Sequence, residues 1–148
     1  MNLKMKKFSD LTVEELYGIL KLRNEVFVVE QECIYQDCDN KDKNAYHLFV
    51  EENSEIIAYL RILEKGISYD EISIGRVVVA KEQRKKGLAR KIMMKAIDFI
   101  QEELNEYEIR ISAQEYLIDF YKSLGFEEVS EVYLEDSLPH KEMLYRKA

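Results

Sequence analysis

Between Lys81 and Lys95 the chain places seven cations, Lys81, Arg84, Lys85, Lys86, Arg90, Lys91 and Lys95, around one glycine, Gly87, and one anion, Glu82. Clustered cations beside a glycine, where backbone N–H groups can approach an anion closely, suit a polyphosphate. The stretch carries +6 and the remaining residues −13, so the net charge of −7 hides a basic island. GxGxxG and GxxxxGK[ST] are both absent, which argues against a Rossmann or Walker nucleotide site. A solvated basic turn would show the same composition. Farther along, Tyr121 stands among Phe120, Leu124 and Phe126, the surroundings of a core tyrosine. Cys33 and Cys38 can be drawn with Asp37, Asp39 and His47 as a zinc site. The C-x4-C spacing without a second cysteine pair argues against that, and no metal is expected.

These groups need elements to hold them. Thr12 and Glu15 form a capping box at the start of a helix whose inward stripe reads Leu16, Ile19, Leu20, Arg23, Phe27. A polar loop from Glu32 to Asn44 follows. Its acidic run Asp37, Asp39, Asp42 serves either to attract a cationic amine or merely to keep the chain soluble. Strands are expected over 46–51 and 56–63, joined as a hairpin by Glu52-Asn53-Ser54-Glu55, and over 72–80, where Gly75 suggests a bulge. The basic island falls where this third strand ends and an amphipathic helix over 88–104 begins. A helix start adds unpaired N–H groups and a positive dipole end, which tips the balance from basic turn to anion site. A short strand at 108–112, a helix over 115–124 ended by Gly125, and strands over 126–133 and 142–146 with Pro139 in the intervening loop complete the order. The expectation is an α/β (α+β) chain with a mixed, mostly antiparallel sheet flanked by helices.

At 148 residues, 47% hydrophobic and 34% charged, the chain is expected to form one globular domain over 1–148. The longest apolar run, Ile56–Leu60, is far short of the ~20 residues of a membrane span, so no membrane association is expected. The overall acidity argues against nucleic acid as a partner. Two cysteines and no secretion signal point to the cytoplasm.

The strand, the loop Arg84-Lys-Lys-Gly87-Leu-Ala89 and the following helix resemble the acetyl-CoA motif of the GNAT N-acetyltransferase superfamily. Ala113-Gln114 through Tyr121 to Leu124-Gly125-Phe126 is similar to that family's later block, with Gln114 where asparagine is commoner. Over nearly the whole length the chain resembles the ElaA-type subfamily. The resemblance is carried by Leu22 to Gln31, Tyr35 to Asp39 with Asp42, Ile74-Gly-Arg-Val77, Ser112 to Gln114, Tyr133 to Asp136, Pro139-His140 and Met143. Ser137-Leu138 replaces the usual Gly-Ile before Pro-His.

The resemblance implies the GNAT acyl-CoA N-acyltransferase fold, and direct transfer of an acetyl group from acetyl-CoA to a small-molecule or protein amine. It implies pantetheine along the backbone of Val77, Val78 and Val79, and pyrophosphate held by Arg84, Lys85, Lys86, Gly87, Leu88, Ala89 and Arg90. Gln114 would touch the cofactor. Tyr121 would be the general acid, since a phenol titrating near 10 can supply a proton to a thiolate whose thiol titrates near 8.5. Phe27, Glu30, Gln31 and Asp136 would line the acceptor, and the base stays open among Glu30, Glu135, Asp136 and His140. A CoA-binding sensor without turnover and an acyl-homoserine-lactone-synthase-like enzyme are the competing readings. An exposed sheet edge would allow a homodimer.

Overall fold

The computed structural model describes residues 1–146. Thr12 starts the first helix as its sequence predicts: its hydroxyl accepts from the Glu15 N–H at 3.0 Å, and Glu15 Oε1 accepts from the Thr12 N–H at 2.9 Å. The same carboxylate holds Lys4 and Lys6 of strand β1 (Asn2–Lys7) at 3.2 and 2.9 Å, which fixes helix α1 (Val13–Arg23) to the sheet. The inward stripe of α1 is not wholly apolar. Arg23 is 0% exposed and works as an ion-pair partner, described below. Nor does the α-helix run on to Phe27. Asn24–Glu30 widens into a π-helical turn, a distortion often met at functional sites, and it presents Phe27 and Glu30 to the cavities below.

Strands β2 (Ala45–Glu52) and β3 (Glu55–Leu63) form the expected hairpin, its two-residue turn held by Asn53 and Ser54 at φ +51° and +65°. Strand β4 (Ile72–Val79), helix α2 (Leu88–Glu102), strand β5 (Glu108–Gln114) and helix α3 (Ile118–Ser123) follow. Leu88, Ile92, Met93, Ala96, Ile97 and Ile100 of α2 are all buried, the face its 3.6-residue period predicts. α2 and α3 pack with Leu48, Leu60, Ile62 and Ile111 in one core. Ile19 and Leu22 of α1 meet Phe49, Tyr59 and Val78 in a second, on the other face of the sheet. The end of the chain differs from expectation. The strand expected over 126–133 is two short ones, β6 (Phe126–Glu128) and β7 (Tyr133–Glu135), and β8 begins early (Leu138–Arg146), so Pro139 and His140 are in a strand. Pro139 faces Leu134 of β7, one residue beyond the β5 ladder, which starts at His140, so its missing N–H costs that ladder nothing.

The sheet order is β1-β2-β3-β4-β5-β8-β6, with β7 on β8, and every pairing is antiparallel except β4–β5. That parallel pair holds only at Ile72–Ile109 and Ser73–Arg110; beyond it the ladder between the two strands ends. The cause is a bulge in β4, where Arg61 faces Gly75 and Tyr59 faces Val78, leaving Arg76 and Val77 against Leu60 alone. Gly75 marks its neighbourhood, yet the left-handed residue is Arg76, at φ +52°. No helix of the described residues is long and apolar enough to cross a membrane.

Candidate active site

Two cavities open where β4 and β5 part. One, of about 530 Å³, runs from the π-helical turn past Val77, Val78 and Val79 to the loop before α2 and the face of α3. The other, of about 390 Å³, runs back along β4 from Val77 to Ser73 and is closed by the β7–β8 hairpin. They share one wall: Phe27, Gln31, Val77, Gln114, Leu117 and Tyr121. Gln31 Nε2 donates to Gln114 Oε1 at 3.3 Å, tying the helical turn to the end of β5 across that wall.

In the first cavity β4 offers free backbone. The Ala80 N–H donates to Ile57 O at 2.8 Å, on the β3 side, so by the two-residue alternation Val79 turns its amide and carbonyl away from β3. Its carbonyl accepts from Arg84 Nε at 3.1 Å. Gly87 opens α2 at φ +77°, and a Cβ there would project into empty space; Lys85 also takes a left-handed turn. A bare cradle among cations, lined also by Lys85, Leu88, Ala89 and Arg90, fits the pyrophosphate of a CoA ester, and the exposed Lys86 adds charge at its rim. Two of the cations are already engaged. Arg84 makes a bidentate pair with Glu30 at 2.6 and 2.8 Å, and Arg90 donates to Ser123 Oγ at 2.6 Å while lying over the Phe120 ring. The Arg84 guanidinium, outweighing desolvation, holds the Glu30 carboxyl below the ordinary carboxylate range. Glu30 lines this first cavity and not the second.

Tyr121 is 7% exposed, with Phe120 and Phe126 edge-on to its ring, and no described residue hydrogen-bonds its hydroxyl. Burial pushes its pKa well above that of free tyrosine, so it is a phenol at any physiological pH. In the second cavity His140 is buried, and its Nδ1 lies 2.8 Å from Leu138 O, which can only accept; Nδ1 therefore carries the proton. Its Nε2 faces Glu135 Oε2 at 3.6 Å, and the ring stacks on Tyr133. Glu135 also receives Ser112 Oγ at 3.0 Å, and Ser112 bonds Tyr133. Asp136 and Ser137 make the two-residue turn of β7–β8, at φ +50° and +66°, and Asp136 O accepts from Cys33 Sγ at 3.1 Å.

The acidic loop is neither free for an amine nor there for solubility. Arg23 reaches Asp37 and Asp42 at 2.7 Å each, Arg61 reaches Asp39 at 2.6 Å and Asp42 at 2.9 Å, and Arg76 Nε lies 2.8 Å from Asp37 Oδ1. Burial opposes the charge on Arg23 and on Asp42, but the paired opposite charges outweigh it and keep both ionised. His47, drawn above toward a zinc ion, instead bonds Tyr59 Oη at 2.6 Å and Asp42 O at 2.9 Å, and among the described residues no cluster suits a metal. Sequence reasoning missed this network because the three arginines lie on three separate elements. The buried place of Arg23 in an otherwise apolar stripe was the available signal.

Residues 7–147 match the model of the GNAT acetyltransferase domain. The chain is 41% identical to a UPF0039 protein of Schizosaccharomyces pombe, covering 93% of this chain and 92% of that one. It is 39% identical to ElaA of Escherichia coli over 89% of this chain and 88% of that protein. The crystal structure of that ElaA superposes with a TM-score of 0.91 at 36% identity, over 99% of this chain and 100% of the other. An acyl-CoA N-acyltransferase from Pseudomonas aeruginosa superposes with a TM-score of 0.92 at 38% identity, over 98% and 99% of the two chains. With the parted strands, the bare glycine cradle and these likenesses together, the chain belongs to the GNAT acyltransferase family, in the group that contains ElaA.

Proposed function

We propose that the protein transfers an acetyl group from acetyl-CoA to a primary amine by direct attack within a ternary complex, as one domain working in the cytoplasm. The observation that carries this reading is the shared wall: a cavity running from the β4 backbone to the cationic 84–90 loop and a second, polar cavity meet at Val77, Gln114 and Tyr121. Bound acetyl-CoA supplies the activated acyl group; the remaining work falls to the chain. Val77 to Val79 orient the pantetheine arm through backbone groups, and the 84–90 loop neutralises the pyrophosphate. An N–H near Val77 polarises the acyl oxygen. The amine must lose its charge before it attacks. A free alkylamine of pKa about 10.4 is neutral about once in 10³ at pH 7, a handicap of roughly 4–5 kcal/mol. His140 Nε2, backed by Glu135, accepts that proton directly or through one water, since Nδ1 already carries its own. Tyr121, held protonated, gives its proton to the departing sulfur. Glu30 serves by aiming Arg84 rather than as the base, because its carboxylate is pinned and faces the CoA side.

The test is thermal. Acetyl-CoA at about 100 times its Kd should stabilise the protein by about 2.7 kcal/mol and raise Tm accordingly. Gly87→Glu, which puts a negative side chain into the cradle, should abolish the rise. An unchanged melting curve at millimolar acetyl-CoA would overturn the cofactor assignment. Binding without acetylation of any amine would favour a CoA sensor.

A further inference from the structure

The second cavity is charged at both ends, and the two ends differ in sign. Three arginines and three aspartates, Arg23, Arg61, Arg76, Asp37, Asp39 and Asp42, neutralise one another inside its wall. Three donors are left over, the first being Arg76 Nε, which lies 2.8 Å from Asp37 Oδ1 without the alignment of a hydrogen bond. Lys41 lines the cavity and makes no ion pair with any described residue, its Nζ resting on Ser68 Oγ at 2.8 Å. Arg61, 3% exposed and also in the lining, has a buried Nε with no partner. An unsatisfied buried guanidinium N–H and an unpaired ammonium in the lining of one cavity ask for an anion. At the shared-wall end the balance reverses: Glu135 and Asp136 line the cavity, and among the described residues neither pairs with a lysine or arginine, Glu135 facing only the imidazole of His140. That end suits an ammonium group.

The ends are separated. The lining follows β4 from Val77 to Ser73, four residues, or about 13 Å at ~3.3 Å per residue. Lys41 and Ser68 belong to the Ser73 end, since Ser68 lies in the loop leading into β4; Arg61 faces Gly75, midway along, and His140 pairs with Gln114 on the shared wall. An α-amino acid is too short to touch both.

We infer that the acceptor is an ω-amino carboxylate, a primary amine with a carboxylate several methylenes away, its amine beside His140 and Glu135 and its carboxylate against Lys41 and the Arg61 Nε. The inference rests on the transfer reading above. In the step, the ammonium first releases one proton through His140 to solvent. The neutral amine nitrogen bonds to the acetyl carbon, the carbon–sulfur bond breaks as the Tyr121 proton goes to sulfur, and the second nitrogen proton leaves through His140 and returns the Tyr121 phenolate to its phenol. A polyamine is disfavoured, because the acidic loop that would attract its second charge is consumed by arginines and leaves Lys41 to repel it.

Three acceptors of matched length decide the matter: 6-aminohexanoate, n-hexylamine and 1,6-diaminohexane. Each is assayed for CoA release with acetyl-CoA and, separately, for added thermal stabilisation of the CoA complex. The expected result is a kcat/KM for 6-aminohexanoate at least tenfold above that of either other amine. Lys41→Gln should lower that ratio at least tenfold, and Lys41→Arg should restore most of it. Equal rates for the three amines, or a preference for the diamine, overturn the inference and leave acetyl transfer intact. Selective stabilisation by 6-aminohexanoate without CoA release supports the binding assignment and overturns the transfer reading instead.

Discussion

Tyr121 has two roles to reconcile, since a tyrosine packed between Phe120 and Phe126 is also a core residue. Its hydroxyl separates them. A purely structural tyrosine this deep normally finds a hydrogen-bond partner, whereas this one has none among the described residues and sits on the wall between the two cavities. Tyr121→Phe keeps the ring and removes the proton, so kcat should fall by about 10²–10⁴-fold with little change in the Kd for CoA. Because burial raises its pKa, the phenol stays protonated as pH climbs through 10, and activity should show no alkaline loss in the ordinary tyrosine range. Loss of CoA affinity in parallel with kcat would assign it to packing.

At the level of elements, the join between α1 and β1 rests on one carboxylate. Burial pushes Glu15 upward, but the Thr12 amide, Lys6 and Lys4 outweigh it and bring its pKa from 4.5 down to about 2. A depressed carboxylate stabilises the fold above its unfolded pKa and loses that contribution as pH falls through the folded one, here between about pH 4.5 and 2. Glu15→Gln keeps a capping side chain but cannot titrate. Urea unfolding should show the variant less stable at pH 7 by on the order of 2 kcal/mol, and the gap closing as pH drops toward 2. A gap that does not depend on pH would place the effect in packing. The π-helical turn belongs to the same scale: it lets one continuous helix pack Ile19 and Leu22 into a core and still turn Phe27 and Glu30 to the site.

Across the whole molecule, the two halves of the site are held by different physics. The CoA side is a strand, a glycine and a helix start, assembled by local chain order. The second cavity, proposed for the acceptor, depends on a buried charge network joining α1, the 37–42 loop, β3 and the β4 bulge, and Arg23 is its deepest member. Arg23→Met takes one of two cationic partners from each of Asp37 and Asp42, leaving them Arg76 and Arg61, and should cost about 3–5 kcal/mol, read as a lower urea midpoint. Since Arg76 leans on the same Asp37, a variant rescued at low temperature should show a raised acceptor KM with acetyl-CoA binding retained. Similar losses on both substrates would mean the network merely supports the fold.

The glycine loop proposed for CoA was readable from residue types in order, because it is made of backbone groups and a cation run within about a dozen consecutive positions. Capping at Thr12, the buried face of α2 and the hairpin at Asn53-Ser54 were legible for the same reason: each depends on neighbours three or four residues apart. Only the tertiary structure could decide the rest. It moved the bulge strain from Gly75 to Arg76, drew Pro139 and His140 into β8, bound Glu30 to a residue 54 positions away, and turned an apparently solvated acidic loop into half of a buried ion-pair network. Those contacts join elements far apart in the chain, and side-chain charge in a sequence does not say which opposite charge folding will bring beside it.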